Sequence, residues 1–204
     1  MLSTVLRQDV SRETSERLEI YKSLLEKWNK KINLVSDKTL ADAWVRHIID
    51  SAQLWPLARK SATTWVDIGS GAGFPGAVIA ILARELSPDL NVTMIESDQR
   101  KATFIRAVLR ETQTMAAVIV GRIERISPQR ADIISARALA PLDQLFDFTV
   151  MHRSENGQAL FLKGENWRQE QHDTQHRWTC DLTAHKSVTD PNAAILEIGA
   201  LTHV

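Results

Sequence analysis

VDIGSGAGFPG, Val66 to Gly76, decides how the rest of the chain is read. The apolar run TWVDI, 64 to 68, ends beside a carboxylate and leads into glycines at 69, 71, 73 and 76. Glycine allows left-handed turns and lets a backbone pass close under a ligand. Gly71-Ala-Gly73-Phe-Pro-Gly76 satisfies G-x-G-x-x-G, opens the helical stretch PGAVIAILAREL, and is followed 20 residues after Gly76 by Glu96. A strand, a glycine turn, a helix and an acid at the next strand end mark a nucleotide-binding crevice in an open α/β sheet.

Asp67 separates two ligand classes. A pyrophosphate prefers bare amide N–H groups at a helix N-terminus and is repelled by a carboxylate there. S-adenosylmethionine carries an ammonium and a sulfonium at one end and a ribose diol at the other. Asp67 suits the amino-acid end, directly or through water, and Glu96 can accept both ribose hydroxyls. The competing readings are a turn or cap role for Asp67 and a solvated surface acid at Glu96. Further on, VGRIERI sets Ile123 and Glu124 just past a strand end, where an adenine would find an apolar wall and a hydrogen-bonding edge.

Outward from the loop, short apolar runs at 91–95, 116–120, 131–135 and 158–162 alternate with helical stretches, as in a doubly wound sheet. After a polar helix around 165–177, CDLTAHKSV and AAILEIGAL are separated by Asp190 and Pro191 with no helix between them. They predict an antiparallel edge hairpin, completing seven mostly parallel strands. Upstream, Ser11 is a candidate N-cap, followed by Glu13 and Glu16, and Leu18, Tyr21, Leu25 and Trp28 share a helix face. AWVRHIIDSAQLW sets Trp44, Ile48, Ala52 and Trp55 on a second stripe before Pro56 stops it. Residues 1–60 thus read as an N-terminal helical extension and 61–204 as one compact sheet domain, with LARKSATT, 57 to 64, as linker.

The 204 residues are 44% hydrophobic, without the run of about 18 apolar residues a bilayer span needs. The N-terminus lacks the apolar region of a secretory signal, so the expectation is a cytoplasmic protein that does not engage a membrane. Cys180 is alone, which excludes an internal disulfide and a cysteine-rich zinc site, and no metal is expected. Lys plus Arg and Asp plus Glu number 25 each, so net charge does not attract a polyanion. The charge is only slightly uneven, with 11 basic and 8 acidic residues in 1–60.

At the fourth strand, ADIISARALAPL brings Ser135 and Arg137 to the crevice side of the sheet, where a substrate would meet the methyl group. Arg137 can touch cofactor or substrate, or simply pair with a surface acid. The turn SARA lacks the Asn- or Asp-Pro-Pro-aromatic pattern used on exocyclic amines, and Cys180 lies far from it. Guanine N7 is a different nucleophile: its exposed lone pair attacks without losing a proton. Such a reaction needs proximity and alignment more than a base.

WNKKINLVS, RHIIDS, VDIGSGAGFPG, GRIER, SARALAPL and FLKG, in that order between Trp28 and Gly164, resemble the bacterial RsmG (GidB) small-subunit rRNA methyltransferases. The resemblance implies a class I S-adenosylmethionine-dependent methyltransferase, Rossmann-like in fold, acting on N7 of one guanine in 16S rRNA. It implies cofactor contacts at Gly69, Phe74, Ile123, Glu124 and Arg137. Joined to the reading of the loop, the expected cofactor set is Asp67, Gly69, Gly71, Gly73, Phe74, Glu96, Ile123, Glu124 and Arg137, with Arg137 orienting the reacting pair and no base assigned. The family places the block with Arg46, His47, Asp50 and Ser51 near the site. His47 is there either a catalytic group or a helix-surface hydrogen-bonding one. Lys27, Lys30, Lys31, Asn33, Arg46, His47 and Lys163 are candidates for gripping RNA, against the alternative of solvated charges. The expected partner is 16S rRNA or the small ribosomal subunit, met by a monomer. Two other functions compete: a small-molecule methyltransferase on the same fold, and a nucleotide-binding regulatory module without catalysis.

Overall fold

Seven strands alternate with helices in the computed structural model, which describes residues 1–204. The N-terminal part comprises α1 (Leu2–Leu6), α2 (Arg12–Asn29), α3 (Asp37–Leu40), a π-helical segment (Trp44–Ile49) running into α4 (Asp50–Ala52), and a 3-10 turn at Trp55–Leu57. The sheet region follows as β1 (Thr64–Ile68), α5 (Gly76–Leu86), β2 (Asn91–Glu96), α6 (Gln99–Glu111) and β3 (Ala117–Val120). After a 3-10 turn at Ile123–Arg125 come β4 (Ala131–Arg137), α7 (Leu142–His152), β5 (Arg153–Lys163), α8 (Trp167–Thr174), β6 (Trp178–Lys186) and β7 (Ala194–His203).

The strand order is β3-β2-β1-β4-β5-β7-β6, with β7 antiparallel to both neighbours and the other pairings parallel. The order reverses between β1 and β4, so the crevice expected at such a switch point lies above their carboxyl ends. The two final apolar runs do form an antiparallel pair, with β7 inside the sheet and β6 at its edge.

Ser11 caps α2: its Oγ accepts from the Thr14 N–H at 3.1 Å and donates to Glu85 at 2.7 Å, tying α2 to α5. Leu18, Tyr21 and Leu25 are fully buried, and they join Ala77, Val78, Ile81, Phe104 and Val108 in one apolar cluster. Each such side chain contributes roughly 1.5–3 kcal/mol. The N-terminal helices therefore share a core with α5 and α6 on one face of the sheet. On the other face α7 packs Leu145 and Phe146 into a cluster with Phe161, Trp178 and Leu196.

Two local expectations change. The segment 44–49 is π-helical, and its wider turn buries the consecutive residues His47, Ile48 and Ile49, while Trp44 and Trp55 of the expected stripe are only half-buried. The polar helix expected over 165–177 is confined to α8, because Arg177 turns away to pair with Asp143 and Asp147 on α7. No helix is long and apolar enough to cross a membrane.

Candidate active site

A cavity of about 1070 Å³ lies along the carboxyl ends of β1, β2 and β4. The glycine loop floors it, and its other walls include Leu34 to Ser36, the π-helical segment, and the β6–β7 tip around Thr189 and Asp190. Gly69, Gly71 and Gly73 have φ of 63°, 57° and 92°, all in the left-handed region. At Gly69 a Cβ would stand 2.3 Å from Leu139 Cδ1, and at Gly73 2.8 Å from the Tyr21 hydroxyl. At Gly71 it would meet only the Gly69 carbonyl oxygen, at 3.9 Å, so this glycine keeps open the floor on which a ligand can lie. Tyr21 donates its hydroxyl proton to the Ala72 carbonyl at 2.6 Å and stacks on Phe74 at 4.9 Å, so α2 holds the loop from the side.

Asp67 sits differently from the expected carboxylate at the loop's entrance. It is fully buried and forms no part of the cavity wall. Its Oδ2 accepts the Gly76 N–H at 3.1 Å, and its Oδ1 accepts the Ser135 hydroxyl at 2.7 Å. Ser135 in turn accepts the Trp65 Nε1–H at 2.8 Å. The cause is strand register: Asp67 pairs with Ser135 across β1 and β4, inside the sheet. Burial pushes its carboxyl up to about 6, against the lowering pull of its hydrogen bonds and of Arg137. Direct contact with a ligand is thereby corrected to a clamp beneath the loop. Gly73 likewise lies off the wall, packed under Tyr21.

Glu96 does reach the cavity, with both carboxylate oxygens engaged. Oε2 accepts the Gly71 N–H and Oε1 the Asp98 N–H, each at 2.7 Å. Ile123, buried, and Glu124, exposed, follow β3 on the same side of the crevice. The Ile123 carbonyl lies 3.1 Å from Nε2 of the buried His152.

The other half of the crevice is organised around Arg137. Its guanidinium donates to the Arg46 carbonyl at 3.0 Å, to Asp50 Oδ2 at 3.3 Å and to His47 Nδ1 at 2.9 Å, and it lies 4.9 Å from the Phe74 ring centre. Asp50 Oδ1 accepts from Thr189 at 2.5 Å and from Gln53 at 2.8 Å. His47 stacks on Phe74 at 5.0 Å. Burial first, then the charges of Arg137 and Arg46, bring His47 down to about 3, so the imidazole is neutral.

Of the RNA candidates, Lys163 is part of the cavity wall but already paired within the protein. It forms an ion pair with Glu170 at 2.6 Å and donates to the Ala140 carbonyl at 3.0 Å, with 10% of its side chain exposed. That lysine braces the start of α7, since Glu170 also accepts the Leu142 N–H at 2.8 Å. Arg46 is bonded to Asp190 at 3.3 Å, and His47 is buried. Lys27, Lys30, Lys31 and Asn33 are exposed. Lys31 and Asn33 share a cleft of about 180 Å³ with Arg100 and Lys101, and Lys101 also lines the main cavity.

Sequence reasoning passed over Asn29, Gln53, Thr189 and Tyr21 as builders of the site. Asn29 is buried, and its Oδ1 accepts the N–H groups of Leu34 and Val35 at 2.9 and 3.0 Å, shaping one wall. A polar residue on the apolar side of α2 is the one signal that pointed there. Thr189 and Gln53 gave no sign of joining each other's neighbourhood, because the bonds Thr189–Asp50 and Gln53–Ser187 link segments more than a hundred residues apart. No group of three or more His, Cys, Asp or Glu side chains is placed to hold a metal ion.

The donor set fits S-adenosylmethionine. The bare Gly71 and the carboxylate of Glu96 lie together at the ends of β1 and β2, and the fixed guanidinium stands where β4 ends.

The family model described as rRNA small subunit methyltransferase G matches residues 14–198. The protein named ribosomal RNA small subunit methyltransferase G in Cereibacter sphaeroides is 47% identical over 205 residues, spanning 100% of both chains. Its namesake in Ruegeria is 47% identical over 199 residues, 98% of this chain and 97% of that one. Among solved structures, a methyltransferase from Geobacter sulfurreducens superposes with a TM-score of 0.58 at 16% identity, over 94% of this chain and 92% of its own. That likeness shows the class I methyltransferase fold.

Proposed function

Because the chain belongs to the rRNA small subunit methyltransferase G family, we propose that it methylates N7 of one guanine in 16S rRNA by direct in-line attack of the N7 lone pair. The coarser activity follows from membership: it is a methyltransferase of small-subunit rRNA, with S-adenosylmethionine as methyl donor.

The observation that carries the finer reading is the state of the groups around Arg137. His47 is neutral and its Nδ1 is occupied as an acceptor, both Asp50 oxygens are engaged, and Asp67 is sealed beneath the loop. None of them stands ready to take a proton from a nucleophile, and guanine N7 has none to give. Bound S-adenosylmethionine supplies a sulfonium methyl that takes the lone pair as the S–C bonding pair returns to sulfur. Glu96, Ile123 and Glu124 are assigned to the nucleoside end, and Gly69, Gly71 and Phe74 to the bed beneath it. Arg137, fixed by three partners, orients the reacting pair. Asp67 and Gly73 act through the shape of the loop. At the mouth, Lys30, Lys31 and Asn33, near Lys101, are assigned to RNA phosphates.

The deciding experiment incubates the protein with labelled S-adenosylmethionine and small subunits from cells lacking it, then maps the modified atom. Label on a single guanine N7 is the expected result. Label on any other atom, or none in RNA, overturns the reading.

A further inference from the structure

One polar atom at the cavity has nothing to bond. Arg137 carries only donors, so the 2.9 Å contact with His47 Nδ1 makes that nitrogen the acceptor and leaves the proton of the neutral ring on Nε2. Nε2 is buried and has no hydrogen-bond partner, although His47 forms part of the cavity wall. A buried donor without an acceptor is costly, so a ligand that brings one gains affinity from the pairing. His47 belongs to the half of the crevice at the end of β4 and the β6–β7 tip, linked through Arg137 and Asp50 to Thr189. The part of the crevice assigned to the nucleoside, at Glu96 and Ile123, lies on the other side of β1, at the ends of β2 and β3. The missing acceptor is therefore either the methionine carboxylate of the donor or a group of the methyl acceptor, and the affinity for S-adenosylmethionine measured below separates the two.

We propose that His47 is a specificity-determining residue whose Nε2–H donates to O6 of the target guanine as that base enters. The proposal rests on the guanine-N7 reading above. Guanine presents O6 beside N7 on one edge, whereas adenine presents an amino group there, so a fixed donor accepts the first and rejects the second. The bond leaves the N7 lone pair free to attack. Because Nε2 is covered in the structure, the contact forms on binding. His47 takes no proton in this role.

The test uses small subunits assembled on ligated 16S rRNA with either guanine or 2-aminopurine at the target position; 2-aminopurine keeps N7 and lacks O6. With the unaltered enzyme, loss of O6 lowers kcat/KM by roughly 5- to 150-fold. His47→Phe lowers the rate on guanine by a similar factor and on 2-aminopurine hardly at all, while calorimetric affinity for S-adenosylmethionine is unchanged. His47→Gln, whose amide can restore a donor, recovers most of the rate on guanine with the same pH profile. Equal losses on both bases, or a loss of S-adenosylmethionine affinity in His47→Phe, would overturn the proposal, as would full activity of that variant on guanine. Failure of the unaltered enzyme to methylate N7 shows in the guanine arm alone and overturns the underlying reading as well.

Discussion

Gly69 and Asp67 test the loop from above and below. Alanine at Gly69 meets both a left-handed φ of 63° and a Leu139 methyl 2.3 Å from the new Cβ. Gly69→Ala should lose about 1–3 kcal/mol of stability and most of the affinity for S-adenosylmethionine, read by denaturant unfolding and calorimetry. Asp67 makes a pH-dependent contribution whose sign follows from its raised carboxyl. Between about 4 and about 6 the unfolded chain has released this proton while the folded chain still holds it, so this group's contribution to stability falls as pH rises through that window and is level above it. Compared with Asp67→Asn, which does not titrate there, the unaltered protein should lose on the order of 3 kcal/mol between pH 4 and 7. A constant difference across that range would refute the assignment. The importance of Asp67 was legible in the sequence, but its direction was not: only the register that sets it against Ser135 shows that the carboxylate faces inward.

Among the elements, α2 does more than cover the sheet. Its Tyr21 supplies the hydroxyl bound to Ala72 and the ring stacked on Phe74. Tyr21→Phe keeps the stack and removes the hydrogen bond, so stability should drop by about 1 kcal/mol and S-adenosylmethionine should bind several-fold more weakly. Unchanged affinity would show that the loop keeps its shape without the clamp. The strands and α5 and α6 were readable because each repeats a local period bounded by glycine, proline or charge. The π-helical segment was not: its i→i+5 pattern departs from the 3.6-residue period, so the burial of His47 beside Ile48 and Ile49 left no trace in an ordinary helical stripe. The pairing of Lys163 was hidden for a related reason. A lysine at a strand end looks free until a helix, here α8, brings a glutamate to it.

At the scale of the whole molecule, the expected boundary at residue 60 divides helices from strands but does not divide the core. Leu18, Tyr21 and Leu25 pack with Val78 and Phe104, so a chain of residues 61–204 should lack the cooperative unfolding transition of the full protein, checked by circular dichroism and limited proteolysis. The balanced charge makes RNA binding a local matter. Lys30→Ala with Lys31→Ala should lower the slope of log affinity against log salt by about 1–2 while leaving S-adenosylmethionine binding intact. An unchanged slope would remove both lysines from the interface. Finally, β7 follows every other strand in the chain yet fills the slot between β5 and β6. During synthesis the sheet therefore waits with a gap, its β5 edge unpaired, until Ala194–His203 has emerged from the ribosome. In that interval the nascent chain exposes a strand edge open to the wrong partner, a window in which chaperones can act.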